Sequence, residues 1–211
     1  MDLTIAVLSV FMFLQVGSGQ TPPRPNLSNS FSAQITDLSP GAEVKFQDYV
    51  NYEEQKIMQL LDLGPPGAGY GHAETLVLGK SNEIYSYYDA FNSCTALSGQ
   101  VEILATWSWI ANATFKSTEE FMGMKVDVWT YQNTTEDVTY EAGVLASNPE
   151  MPVYYLDSNS PGPVLFSNYS NTAPPESKFA IPPACAKAPE RKTSPHHGGS
   201  YLPRFGVRMS V

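Results

Sequence analysis

His72, in GAGYGHAE, is the one histidine between Gln20 and Cys185, so a Ser-His-Asp arrangement in that stretch has to use it. No G-x-S-x-G segment accompanies it, and a lone histidine in a glycine-rich loop reads as a solvated surface residue. The carboxylate pairs Glu53-Glu54, Glu119-Glu120 and Glu136-Asp137 lie in polar stretches and read as solvated faces. A glycosidase needs two carboxylates set across a sugar cleft, an arrangement that spacing does not supply. GPPGAGYG lacks the Gly-Lys-Ser/Thr ending of a phosphate loop. No catalytic residue is assigned, and the chain reads as a non-enzyme.

Metal chemistry is equally thin. Two cysteines without close spacing cannot make a structural zinc site. Asp157-Ser-Asn159-Ser-Pro161-Gly162 faintly echoes an EF-hand loop, but Pro161 and Asn168 stand where that loop needs other residues, so it reads as a turn. No metal site and no cofactor is assigned. His196-His197 and Arg204-Phe205-Gly206 fall in a Pro/Gly-rich tail and read as tail.

Composition gives the address. Ile5 to Val16 is a 12-residue stretch interrupted only by Ser9 and Gln15, followed by Gly17-Ser18-Gly19. It is too short to span a bilayer and reads as a secretory signal peptide over residues 1–19. The sequons at Asn26, Asn112, Asn133 and Asn168 agree with a secreted, N-glycosylated chain. Residues 20–185 hold 7 Lys/Arg against 19 Asp/Glu, a net −12; residues 186–211 hold 5 against 1, a net +4. The acidic body argues against nucleic acid. No later segment is apolar for long enough to cross a membrane as a helix.

The organisation is a polar lead-in over 20–30, one folded domain over 31–185 and a basic tail over 186–211, with both ends disordered. Inside the domain the hydrophobic period is mostly two. ETLVLGKSNEIYSYYDAF reads as strand, turn, strand; QVEILATWSWI as one β-prone run; GMKVDVWTY, VTYEAGVLA, MPVYYLD and GPVLFSNYS as further strands. Short strands between turns predict a mostly β, antiparallel architecture. Ser117-Thr-Glu-Glu120 fits a capping box, with Gly123 placed to stop one short helix. VKFQDYVNYEEQKIMQLLDLG reads equally as a helix or as two strands.

An immunoglobulin-like sandwich is the alternative, since Cys94 and Trp107 are 13 residues apart; against it, Pro183 occupies the tyrosine-corner position. FQDYVNYEEQKIMQ, EIYSYYDAFNSC, FMGMKVDVWTY, MPVYYLD and ESKFAIPPAC, in that order, resemble the extracellular ependymin-related proteins. That group's fold is similar to bacterial lipoprotein carriers. The resemblance implies a curved antiparallel sheet forming an open half-barrel with an apolar cleft. It also implies a strand hairpin at Phe46 to Leu61, closure of the domain by Phe179 to Cys185, and weak calcium binding at no stated site. The chain departs from the group in its cysteines: related chains often carry further ones, including one near the Asp-x-Trp segment, where this chain has Val126 before Asp127. With two cysteines one intramolecular bond is available, and Cys94–Cys185 is expected; free thiols or an intermolecular bridge are the alternatives.

Trp107, Trp109, Phe121, Met124 and Trp129 are the candidate lining of an apolar ligand cleft, with ordinary core as the competing reading. The expected function is non-catalytic binding of a lipid or other hydrophobic small molecule. The alternative is an adhesion or matrix-interaction module working through its surface. Spacing says nothing for or against a homodimer.

Overall fold

The structure is a computed structural model and describes residues 21–40, 44–62, 71–187, 190–192 and 207–210. The expected signal peptide, His196-His197 and Arg204–Gly206 lie outside the described residues.

Alternation of buried and exposed side chains drives almost every element. Strands β1 (Phe31–Asp37), β2 (Val44–Asn51), β3 (Lys56–Asp62), β4 (His72–Leu78), β5 (Glu83–Tyr88), β6 (Ser93–Ser98), β7 (Gln100–Ile103), β8 (Thr114–Phe121), β9 (Met124–Asn133), β10 (Val138–Leu145), β11 (Asn148–Asp157) and β12 (Val164–Ser170) follow in chain order. Two short strands lie in the stretch read as tail, β13 (Glu190–Lys192) and β14 (Val207–Ser210). Twelve strands form one open sheet in the order β13-β6-β5-β4-β3-β2-β1-β12-β11-β10-β9-β8; β14 and β7 pair separately. Every pair is antiparallel except β13 with β6.

The fold is therefore mostly β and not closed into a barrel, as the period-two pattern predicts. A single sheet replaces the alternative sandwich. The ambiguous segment is the β2–β3 hairpin, in register from Asn51↔Lys56 to Lys45↔Asp62.

Two local expectations fail. Ser117 to Glu120 is strand, not helix. Met122 (φ +50) and Gly123 (φ +78) form a two-residue turn that folds Phe121 onto Met124, and pairing with β9 outweighs the local capping signal. Thr118 Oγ1 donates across the strands to Asp127 Oδ1 at 2.6 Å. The run QVEILATWSWI is strand only to Ile103. Ile110 N donates to Trp107 O at 3.0 Å and Ala113 N to Ile110 O at 3.1 Å, coiling it into a 3-10 turn.

That coil fills the hollow of the sheet. Val101, Ile103, Trp107, Trp109 and Ile110 pack in one cluster with Phe31, Ile35, Val50, Ile57, Val77, Ile84, Trp129, Val144 and Phe166. Trp107 lies 5.4 Å from the Phe166 ring, and Trp109 stacks on Tyr140 at 5.7 Å. Gln55, at the β2–β3 turn, anchors the segment, accepting from Ile103 N and donating to Ile103 O.

The other face of β2–β5 is also apolar at Met58 and Leu76, which a strand exposes unless something covers them. Residues 174–185 are that cover. Phe179 is buried on Met58 and Leu76, Lys178 sits 4.8 Å over the Tyr49 ring, and Lys56 pairs with Glu176. The strap ends at Cys185, bonded to Cys94 on β6. The lead-in, expected to be disordered, is packed as well: Asn29 Oδ1 accepts from Trp107 N at 2.7 Å, and Arg24 donates to Ala111 O at 2.5 Å.

One polar row interrupts the inner face. Asp48, Gln59, Thr75 and Ser86 stand at successive paired positions on β2–β5, all buried. Asp48 Oδ1 accepts from Gln59 Nε2 at 3.0 Å, while Oδ2 has no partner. Burial pushes the Asp48 carboxyl up to about 7.

A raised carboxyl pKa leaves stability intact at acid pH and removes it as pH climbs from the unfolded value, near 3.8, toward about 7. Relative to Asp48→Asn, the wild type should therefore lose about 4 kcal/mol between pH 4 and pH 8 in urea unfolding. A pH-independent difference would contradict the assignment. Replacing both Cys94 and Cys185 with alanine should destabilise by about 4 kcal/mol, since the bond closes a loop spanning 91 residues. A chemical-denaturation midpoint close to that of the native chain would contradict it.

Candidate functional site

The five residues expected to line a cleft do not share one surface. Trp107, Trp109 and Trp129 are buried in the main core. Phe121 packs on Tyr154 at 4.6 Å in a separate cluster with Val126 and Val128, on the opposite face of the sheet. Met124 stands 38% exposed at the β8–β9 tip beside Met122. The hollow of the half-barrel is occupied by the chain's own indoles.

The sequons are spread over the molecule. Asn26, Asn112 and Asn168 are exposed. Asn133 is half-buried, its amide donating to Glu136 Oε2 at 3.0 Å while its oxygen accepts from Thr135 N. Among the described residues, no group of three or more His, Cys, Asp or Glu side chains is placed to hold a metal ion.

A groove of about 390 Å³ lies against β1–β5. Gln34, Gln47, Leu60, Glu74 and Tyr87 occupy one register row, one residue per strand, and all five line it. These side chains point away from the tryptophan-filled hollow, because their neighbours Phe46, Leu61 and Ala73 belong to the main core. The next row outward supplies Lys45, His72 and Asp89.

Two features shape this groove. The strap covers the adjacent row of Tyr49, Met58, Leu76 and Tyr85, and Tyr87 stands opposite Cys94, where the strap is tied. The groove is thus the part of the outer face that the strap leaves open. At the far wall Asp89 Oδ1 accepts from His72 N at 2.6 Å. Gly71 holds φ +56, and a Cβ there would lie 2.1 Å from Asp89 Oδ1.

Glu74 differs from its neighbours. It is half-buried between Leu60 and Tyr87, its directly opposed cross-strand partners, and its carboxylate makes no hydrogen bond or ion pair among the described residues. Sequence reasoning missed this row. Gln47, Leu60 and Glu74 look like ordinary alternation, and only the register brings them together.

A larger hollow of about 800 Å³ at Ser81, Asn82 and Ser98 to Glu102 is a shallow, open depression. Its wall holds no aromatic side chain, and its one aliphatic residue, Val101, is buried in the core. The groove at Glu74 is the better-formed site.

Fold and groove together define an open-sheet β protein with a strapped outer face and a small mixed polar and apolar groove. No protein-family model matches the sequence, and no curated protein matches it. Among solved structures it is similar to an uncharacterized conserved protein from Thermus thermophilus, with a TM-score of 0.47 at 14% identity over 79% of this chain and 92% of that one. A second, PNGF-II, gives a TM-score of 0.34 at 11% identity over 79% of this chain and 31% of that one. Likenesses at this level carry no argument about function. No described helix is long and apolar enough to cross a membrane.

Gly71→Ala should destabilise the fold by about 1–3 kcal/mol through the left-handed backbone and the Asp89 contact. Adding Asp89→Ala should recover part of that loss in thermal unfolding. No recovery would show that the far wall is built differently.

Proposed function

We propose that this chain is a secreted, N-glycosylated binding protein without catalysis, which holds a small hydrophobic or amphipathic ligand in the groove of β1–β5. The groove itself carries the reading. Its volume of about 390 Å³ lies within the range of small-molecule sites, and it combines a leucine and a tyrosine with a few convergent polar groups. Two features border it: the Cys94–Cys185 bond stands at the end of its register row, beyond Tyr87, and Asp89 lies close against the Gly71 backbone. Preformed walls of this kind favour affinity because little ordering is left for binding to do.

The address supports the reading. A bonded cysteine pair persists in oxidising spaces, and the leader and four sequons point the same way. The groove takes over the part first given to the tryptophans. A ligand at Trp107 and Trp109 would have to displace side chains that are 3% and 7% exposed, whereas the groove is already open.

Native mass spectrometry of the full chain, secreted from a eukaryotic host and deglycosylated, tests this. A small-molecule adduct should accompany the folded protein, leave on denaturation, and be absent from Gln47→Trp, which fills the row beside Leu60. A bare mass that takes up no added amphiphile would overturn the reading.

A further inference from the structure

We propose that the groove selects an amphipathic organic cation, its ammonium held by Glu74 against the ring of Tyr87. The inference rests on the groove being a ligand site, and it names the ligand's chemistry.

Two carboxylates line the groove, Glu74 and Asp89. Asp89 is engaged with the backbone of His72 and pressed on Gly71. Glu74 is not engaged, yet it is half-buried, flanked by Leu60 on one side and Tyr87 on the other. A partly desolvated carboxylate without a partner is unfavourable, and a cation placed beside it offsets that cost. The neighbouring tyrosine adds the attraction of its ring face for an ammonium, and Leu60 gives the aliphatic part of the ligand a surface. The outer face already makes one such contact, where Lys178 lies over Tyr49.

Of the other groove residues, His72 is exposed and stands two residues from Glu74 on β4. Gln34 and Gln47 are neutral. Lys45 is exposed and lies two strands from Glu74, roughly 10 Å at ordinary strand spacing, where solvent and salt weaken its repulsion. Residues 20–185 carry a net −12, which draws cations toward the molecule and repels anions. A fatty-acid carboxylate would have to sit beside Glu74 as a like charge, so a plain fatty acid is the disfavoured occupant.

The test uses three ten-carbon probes below their micellar concentrations, on the full secreted chain at neutral pH, by titration calorimetry. Decyltrimethylammonium should bind at least tenfold more tightly than decanoate, with decanol between them. Glu74→Gln, which keeps size and shape, should weaken the cation about tenfold and leave decanol within twofold. Should that variant misfold, the ranking of the three probes on the native chain decides alone. Decanoate binding as well as the cation, or a cation affinity untouched by Glu74→Gln, overturns the cation assignment while the groove stands. No binding of any probe overturns the groove as well.

Discussion

A sheet with apolar side chains on both faces has to be covered twice, and this chain meets that constraint with its own irregular segments. On the inner face the residues after β7 coil inward and place two indoles against β1, β10 and β12. On the outer face the residues after β12 run back across β2 to β5 and end at the bond to β6. Neither cover has strand geometry, so neither extends the sheet. The staple holds the outer cover down, since Phe179 is the strap residue that packs with Met58 and Leu76.

The groove is a consequence of that covering rather than a feature of the strands. The row of Gln34, Gln47, Leu60, Glu74 and Tyr87 lies beside the strap's path, and the strap meets it only at its end, at Cys94. Tethering one end of a strap over a flat face leaves a bounded strip alongside it. Stability and site are thus coupled through the same bond. The hollow that the fold class would suggest for a ligand is occupied by the buried Trp107 and Trp109.

Much of the architecture was legible in the residues. Alternation in ETLVLGKSNEIYSYY and GMKVDVWTY predicted strands that form where expected, and two cysteines allowed a pairing that the structure contains. The helix at Ser117 was misread because a capping signal is local and weak, while seven cross-strand residue pairs and a two-residue turn act together. The tryptophans were left between cleft lining and core because aromatic clustering in sequence identifies apolar surface without saying whether a ligand or the chain covers it.

The sequence by itself determined the class: period-two hydrophobicity, four sequons, an acidic body and a single cysteine pair. These are properties of composition and short range, so the chain displays them before it folds. Only the tertiary structure decided that Trp107 and Trp109 fill the hollow, that Asp48 is buried with one oxygen unpartnered, and that Glu74 stands between Leu60 and Tyr87. Register is the reason. A one-residue slip in pairing turns every side chain to the other face, and that choice is made by contacts between strands distant in the chain.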